Sequence, residues 1–151
     1  MMIVYNIRKQ EYSKKLIASG FSNRWNRDDE YVIYTSSSRA LAMLELLVHR
    51  SGLDLGKGFR LLEIKLSITE KDIEEIRVEK LVKNWQSIEA YSQEQKIGSE
   101  WYKRFDKLIL KVPSVVIPQE YNYVINTRHK DFEKKVKLEL IEEIDFDRRI
   151  I

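Results

Sequence analysis

The chain has no cysteine and only two prolines in 151 residues. Without thiols it builds neither a disulfide framework nor a thiolate metal site, which fits a reducing compartment. No linker, repeat or low-complexity tract divides it, so residues 1–151 read as one domain, long enough to bury a core without staples. Long apolar runs are missing too. The opening MMIVYNIRKQEY turns polar too early for the apolar core of a signal peptide, and no other stretch approaches the length that spans a bilayer. A soluble cytoplasmic protein with no membrane contact is the expectation. Charge of one sign is also scarce: 27 basic and 24 acidic residues leave a net +3. The signs are interspersed, as in RHKDFEKKVKLELIEE, and do not form the basic stripe of a protein that binds nucleic acid directly.

Familiar catalytic patterns are absent as well. GLDLGKG (52–58) has the spacing of neither a dinucleotide-binding glycine fingerprint nor a P-loop. His49 and His129 stand far apart with no third ligand in pattern, so no metal site is expected. There is no serine elbow and no cysteine nucleophile.

What is present alternates between strand and helix patterns. IVYNI (3–7) reads as a short strand and EYSKKLIAS (11–19) as a short helix closed by Gly20. YVIYT (31–35) reads as a strand that feeds the helix RALAMLELLVH, with a cap at Ser36–Ser38 and an end near Gly52. FRLLEIKLS (59–67) puts Leu62, Ile64 and Leu66 on one face of a strand. EEIRVEKL (74–81) carries only a weak pattern, and YSQEQKIGSEWYKR (91–104) predicts a helix despite Gly98. KLILKV (107–112) and SVVIP (114–118) read as strands broken at Pro113, and KKVKLELIEE (134–143) as a late alternating strand. Without a regular βαβ period, this order predicts a single α+β domain with a central mixed sheet and flanking helices.

Four features bear on chemistry. The helix from Arg39 is apolar on nearly every side, which suits a protein interior. Yet Glu45 sits in its middle, and a carboxylate there is costly unless paired. Ser38, Ala42, Glu45 and His49 fall at spacings of four, three and four, which makes one small polar stripe. The stripe reads either as a functional carboxylate or, more commonly, as one paired with a buried arginine for structural reasons or simply facing solvent. NRWN (23–26) carries Arg24, either a surface arginine or a fork for phosphate or carboxylate. Tyr34 ends the strand before the Glu45 helix and is either a core ring or a stacking platform. VPSVVIPQEYNYVIN (112–126) holds Ser114 between two prolines, followed by Asn122 and Asn126, and such prolines are often edge punctuation.

Taken in order, NRWN, VIYTSSSRALAMLELLVH, LKVPSVVIPQEYNYVIN.RH and a closing FDRRI resemble the RES-domain family, the toxin halves of bacterial RES–Xre toxin–antitoxin pairs. The resemblance runs from IVYNI to FDRRI, nearly the whole chain. The arginine, glutamate and serine that name the family fall on Arg24, Glu45 and Ser114, and its tyrosine on Tyr34. It implies an ADP-ribosyltransferase-like fold. It also implies consumption of NAD⁺ as substrate, with no separate cofactor, by hydrolysis, phosphorolysis or transfer of ADP-ribose to a protein. Three positions depart from the pattern. Asn6 stands where the family has an arginine in its first strand, SGFSN shortens a glycine-rich segment, and NTRHK (126–130) lacks two prolines. The first two touch the phosphate contacts, the third loop rigidity.

The resemblance gives Glu45 a role. The nicotinamide of NAD⁺ is cationic while still bonded and departs neutral, so no acid need protonate it, and the barrier lies in oxocarbenium-like charge on the ribose. One carboxylate at the ribose hydroxyls stabilises that charge. By the same resemblance Arg24 grips the pyrophosphate or adjacent ribose, Tyr34 stacks on nicotinamide and Ser114 bonds near the scissile end. Trp25, Ser36, His49 and Asn126 complete the expected pocket. An Xre-type antitoxin is the implied partner, inhibiting by offering a carboxylate to Arg24, and a homo-oligomer within that complex is possible. A decayed site kept as a binding module is the alternative.

Overall fold

The structure, a computed structural model, describes residues 1–49 and 58–144. The expected helix end near Gly52, most of GLDLGKG and the closing FDRRI lie outside the described residues. The expected α+β architecture with a mixed sheet is observed. Seven strands, β1 (Met2–Lys9), β2 (Val32–Ser36), β3 (Phe59–Leu66), β4 (Ile73–Glu75), β5 (Ile109–Pro113), β6 (Tyr121–Asn126) and β7 (Val136–Ile144), form one sheet in the order β4-β5-β6-β2-β1-β3-β7. All neighbours are antiparallel except β4 and β5. Among the described residues no helix is long and apolar enough to cross a membrane.

The sheet has a seam. β1 pairs with β3 along eight residues, and β2 with β6 along five. Between β1 and β2 only Tyr5 and Ser36 pair. The two wings therefore splay after that single bridge, and the splay opens a cleft. Helix α1 (Arg39–His49) leaves β2 directly and packs over the seam. Ser38 caps it as expected, its Oγ accepting from Leu41 N–H at 3.1 Å.

Each face of the sheet has its own core. Val4, Leu62, Ile64 and Leu66 join Ile33, Ile109 and Ile125 in one buried cluster. On the other face, helix α2 (Tyr91–Arg104) lays Trp101 and Tyr102 against Trp25, Val32, Leu110 and Val124. Gly98 explains how closely it lies. A Cβ there would stand 1.7 Å from the carbonyl oxygen of Trp25, so only glycine lets the helix touch the NRWN backbone. Gly98→Ala should therefore destabilise the fold by roughly 1–3 kcal/mol or more, as overpacking does. An exposed helix would instead gain about 1 kcal/mol from the same change. A raised melting temperature would show that the contact gives way easily.

Four local expectations differ from the structure. Residues 11–19 form no helix; a single 3₁₀ turn (Gln10–Tyr12) is followed by irregular chain. The carbonyls of Tyr12, Lys15 and Ile17, which helical N–H groups would take, are collected by Arg8 Nη1. SVVIP is a turn, because Ser114 Oγ accepts from the N–H groups of Val116 and Ile117, both at 3.1 Å, and draws the chain away from strand. The short helix α3 (Phe132–Lys135) and most of β6 had no separate pattern. Finally, α1 is not an interior helix. Only Leu41 and Ala42 are buried, while Leu44 and Val48 are 40% and 55% exposed.

Candidate active site

The cleft at the seam is a cavity of about 220 Å³. One wall is α1, with Ala42, Glu45, Leu46 and His49; the facing wall carries Arg24, Trp25 and Tyr34. Tyr5 and Asn6 of β1, Ser36 of β2 and Asn122 of β6 also line it. The polar stripe on α1 thus faces the cavity except at Ser38, which caps the helix. Of the expected residues, Arg24, Trp25, Tyr34, Ser36, Glu45 and His49 all border this space, and Ser114 reaches it through Glu45.

Glu45 is 16% exposed in its side chain, at the cleft wall and not in the core. Buried Ser114 donates its hydroxyl to Glu45 Oε1 at 2.6 Å, a length expected for a bond to a charged acceptor. The same hydroxyl accepts the two turn N–H groups, so the turn after Pro113 fixes the serine, and the serine fixes the carboxylate. The other oxygen, Oε2, stands 3.8 Å from His49 Nε2, one helical turn on. Among the described residues no lysine or arginine pairs with Glu45. Its negative charge therefore has no fixed cation and is presented to the cleft.

Tyr34 is held at its hydroxyl. It donates to Asn26 Oδ1 at 2.5 Å and accepts from Trp25 N–H at 3.0 Å. Burial raises its pKa, so the ring stays neutral and presents apolar surface. Asn26 is itself locked by donating to the carbonyls of Phe21, Arg27 and Glu30. Ser36 is buried and donates to Asn122 Oδ1 at 2.9 Å, which joins β2 to β6 beside the cavity.

Arg24 does not have the geometry expected of a phosphate grip. Its Nη1 donates to Glu94 Oε1 at 2.8 Å and to the carbonyls of Trp85 and Ser87; its Nη2 donates to the carbonyl of Gln86. The guanidinium lies over the Tyr91 ring, 4.4 Å from its centroid. Its charge is already neutralised by a fully buried carboxylate. α2 organises this corner, since Gln95 donates to the Asn23 carbonyl while Glu94 and Gly98 meet Arg24 and Trp25. The arginine braces the cleft wall and the 85–87 segment.

Asn126 is also misplaced by the sequence reading. It pairs with Val32, at the far end of β6 from Asn122 and Ser36, and is fully buried. Its side chain donates to the Tyr102 carbonyl and accepts from Arg128 N–H. That makes it a structural residue outside the cavity. Polar lining residues that the pocket expectation omitted include Tyr5, Asn6, Asn23 and Asn122, and the signal for Asn122 was its spacing of four from Asn126 on one strand. His129 is buried and does not line the cavity; its Nε2 lies 3.3 Å from the Asp106 carbonyl oxygen, and its Nδ1 accepts from Asp131 N–H at 3.0 Å. Among the described residues no cluster of three or more His, Asp or Glu is placed to hold a metal.

A seven-stranded mixed sheet split at one bridge, with a serine-held carboxylate and a half-buried tyrosine lining the same cleft, defines a small α+β cleft protein. The RES-domain family model matches residues 3–148, and the chain belongs to that family. Over 99% of its length it is 30% identical to a protein of Photorhabdus laumondii named Toxin Res, of which the match covers 97%. It is 33% identical to a Sphingobium protein named Prs ADP-ribosylating toxin, over 85% of this chain and 80% of that one. In structure it is similar to a chain of the M. tuberculosis MbcT–MbcA toxin–antitoxin complex, with a TM-score of 0.74 at 16% identity, covering 95% of this chain and 84% of that one.

Proposed function

We propose that this chain is the toxin of a toxin–antitoxin pair and that it consumes NAD⁺ by cleaving the bond between nicotinamide and ribose. The observation that carries this reading is Glu45: a carboxylate at the cleft wall, aligned by Ser114 and paired with no lysine or arginine among the described residues. Such a group is available to positive charge that appears only as the bond breaks. In the step, the C–N electron pair leaves with nicotinamide, which becomes neutral, and the ribose carbon takes on oxocarbenium character. Water or phosphate then attacks that carbon, and a proton returns to solvent. Tyr34, held at its hydroxyl, offers its ring to the nicotinamide, and Ser36 and Asn122 border the ribose.

The size of the cavity agrees with this placement. At about 220 Å³ it is smaller than the roughly 300–1,000 Å³ of sites for drug-sized ligands, so it suits the nicotinamide–ribose end and not the whole dinucleotide.

Incubating the purified, antitoxin-free protein with NAD⁺ and following nicotinamide release tests the reading; intact NAD⁺, with and without phosphate, would end it. Phosphate dependence separates phosphorolysis from hydrolysis. The Sphingobium relative's name favours a second outcome, transfer of ADP-ribose to a protein. Labelled NAD⁺ would then leave its label on protein instead of on free ADP-ribose. Ser114→Ala should lower turnover by roughly ten- to a hundredfold, because the buried turn loses its acceptor and Glu45 its donor. Wild-type turnover in that variant would remove Ser114 from the mechanism.

Such an activity requires control, and an Xre-type antitoxin is the partner the family likeness supports. Because Glu94 already neutralises Arg24, inhibition through a carboxylate docked on Arg24 would first have to displace Glu94. Covering the cleft mouth is the simpler route.

A further inference from the structure

A dinucleotide carries two phosphate charges, and neither arginine position expected to meet them is available. Position 6 is asparagine, and Arg24 is neutralised by Glu94. A second cavity of about 540 Å³ adjoins the first at Asn6, Ile7 and Tyr34, in the splay between β1 and β2. It is lined by Arg8, Lys9, Tyr12 and Phe21, and is walled by the irregular segment 17–19.

Arg8 there is the opposite of Arg24. Every partner it has among the described residues is a neutral oxygen: Asn6 Oδ1 at 2.7 Å and the carbonyls of Tyr12, Lys15 and Ile17 at 3.3, 3.4 and 3.0 Å. No carboxylate of the described residues pairs with it, and none of these bonds uses Nη2. Burial without a counter-charge lowers its pKa. A guanidinium nonetheless stays charged at neutral pH. The result is a half-buried cation, fixed by three carbonyls, with one nitrogen unused and its charge uncompensated. That arrangement costs stability until an anion arrives, and a phosphate matches the fork of the guanidinium. Asn6 joins the two cavities physically: its Nδ2 donates to the Tyr34 carbonyl at 2.7 Å, while its Oδ1 holds Arg8 Nε.

We propose that Arg8 binds the diphosphate of the dinucleotide, which lies across the Asn6–Tyr34 neck with nicotinamide riboside beside Glu45 and the adenosine half in the second cavity. Asn6 thus acts as a positioning residue for a cation two residues further along the strand. The assignment rests on the NAD⁺ reading above, and it predicts affinity for the diphosphate even where catalysis is removed.

The test uses Glu45→Gln protein, so that ligand is not consumed, and calorimetry with NAD⁺, ADP-ribose and nicotinamide riboside. Adding Arg8→Met should weaken NAD⁺ and ADP-ribose by roughly ten- to a hundredfold, the effect of a lost bond to a charged group. Nicotinamide riboside, which has no phosphate, should be unaffected. Unchanged ADP-ribose affinity would overturn the role of Arg8 while leaving the NAD⁺ reading intact. Absence of NAD⁺ binding in the parent protein, with no turnover in wild type, would overturn both. Because Arg8 also holds three carbonyls, a second measurement uses the unaltered chain: phenylglyoxal labelling mapped by mass spectrometry. ADP-ribose should protect Arg8 and leave exposed Arg39 reactive; equal labelling of Arg8 with and without ADP-ribose would refute the contact.

Discussion

Glu45→Gln should lower NAD⁺ turnover by on the order of 10²–10³, with the loss in kcat and the fold intact. The amide has the shape of the carboxylate, and its oxygen can still accept from Ser114, so the 2.6 Å bond that aligns the side chain survives. What disappears is the negative charge, and with it the stabilisation of charge that builds on the ribose only as nicotinamide departs. Loss of a group used in the transition state lowers kcat, whereas loss of uniform binding raises KM alone. Glu45 stands at the cleft wall and pairs with no lysine or arginine among the described residues, with His49 Nε2 3.8 Å away, so the thermal midpoint should change little. A folded, fully active variant would exclude the electrostatic role. A variant that loses its fold would identify Glu45 as a structural group instead.

How much of this was legible depends on whether the signal is local. α2 was readable to the residue, Tyr91–Arg104, because its pattern and its ends are local properties. Why it tolerates Gly98 was not, since the reason is the carbonyl of Trp25, far away in sequence. Segment 11–19 has a helical pattern, but the pattern cannot register that Arg8 removes its carbonyls. SVVIP is rich in β-branched residues, and one hydroxyl, that of Ser114, overrides them.

The candidate site divides in the same way. The spacing of Ala42, Glu45 and His49 put them on one face of α1, and they share the cleft. That the helix would be half-exposed was not in its apolar pattern, because a helix over an open seam uses only part of its circumference. Arg24 was singled out as a residue, but its partner Glu94 lies 70 positions away on another element. A sequence shows a cation; only the fold shows which carboxylate already holds it. Arg8, by contrast, meets no carboxylate among the described residues, only neutral oxygens.

Arg24→Ala should cost about 3–5 kcal/mol of stability, the range for removing one partner of a buried ion pair. For a chain of this size, that lowers the melting temperature by roughly 6–20 °C. The loss is large because Glu94 has no alternative. It is fully buried, and its Oε2 already lacks a hydrogen-bond partner among the described residues. The carbonyls of Trp85, Gln86 and Ser87 would lose their donors in the same substitution. The effect should also depend on pH with a definite sign. Burial pushes the Glu94 carboxyl up and Arg24 pulls it down, leaving it above its ordinary value. Without Arg24 the folded-state pKa climbs further. A carboxyl raised in the folded state is protonated in both states at low pH, and costs stability as pH rises past its unfolded value of about 4.3. The gap between wild type and Arg24→Ala should therefore be widest near neutrality and narrow toward pH 4, as read from denaturant midpoints across that range. Replacing both partners, as Arg24→Met with Glu94→Leu, should recover most of the stability, because no buried charge is left alone. A single-variant cost below about 1 kcal/mol, the level of a surface pair, would mean that Arg24 does not brace the cleft wall and that its guanidinium is available to a ligand after all.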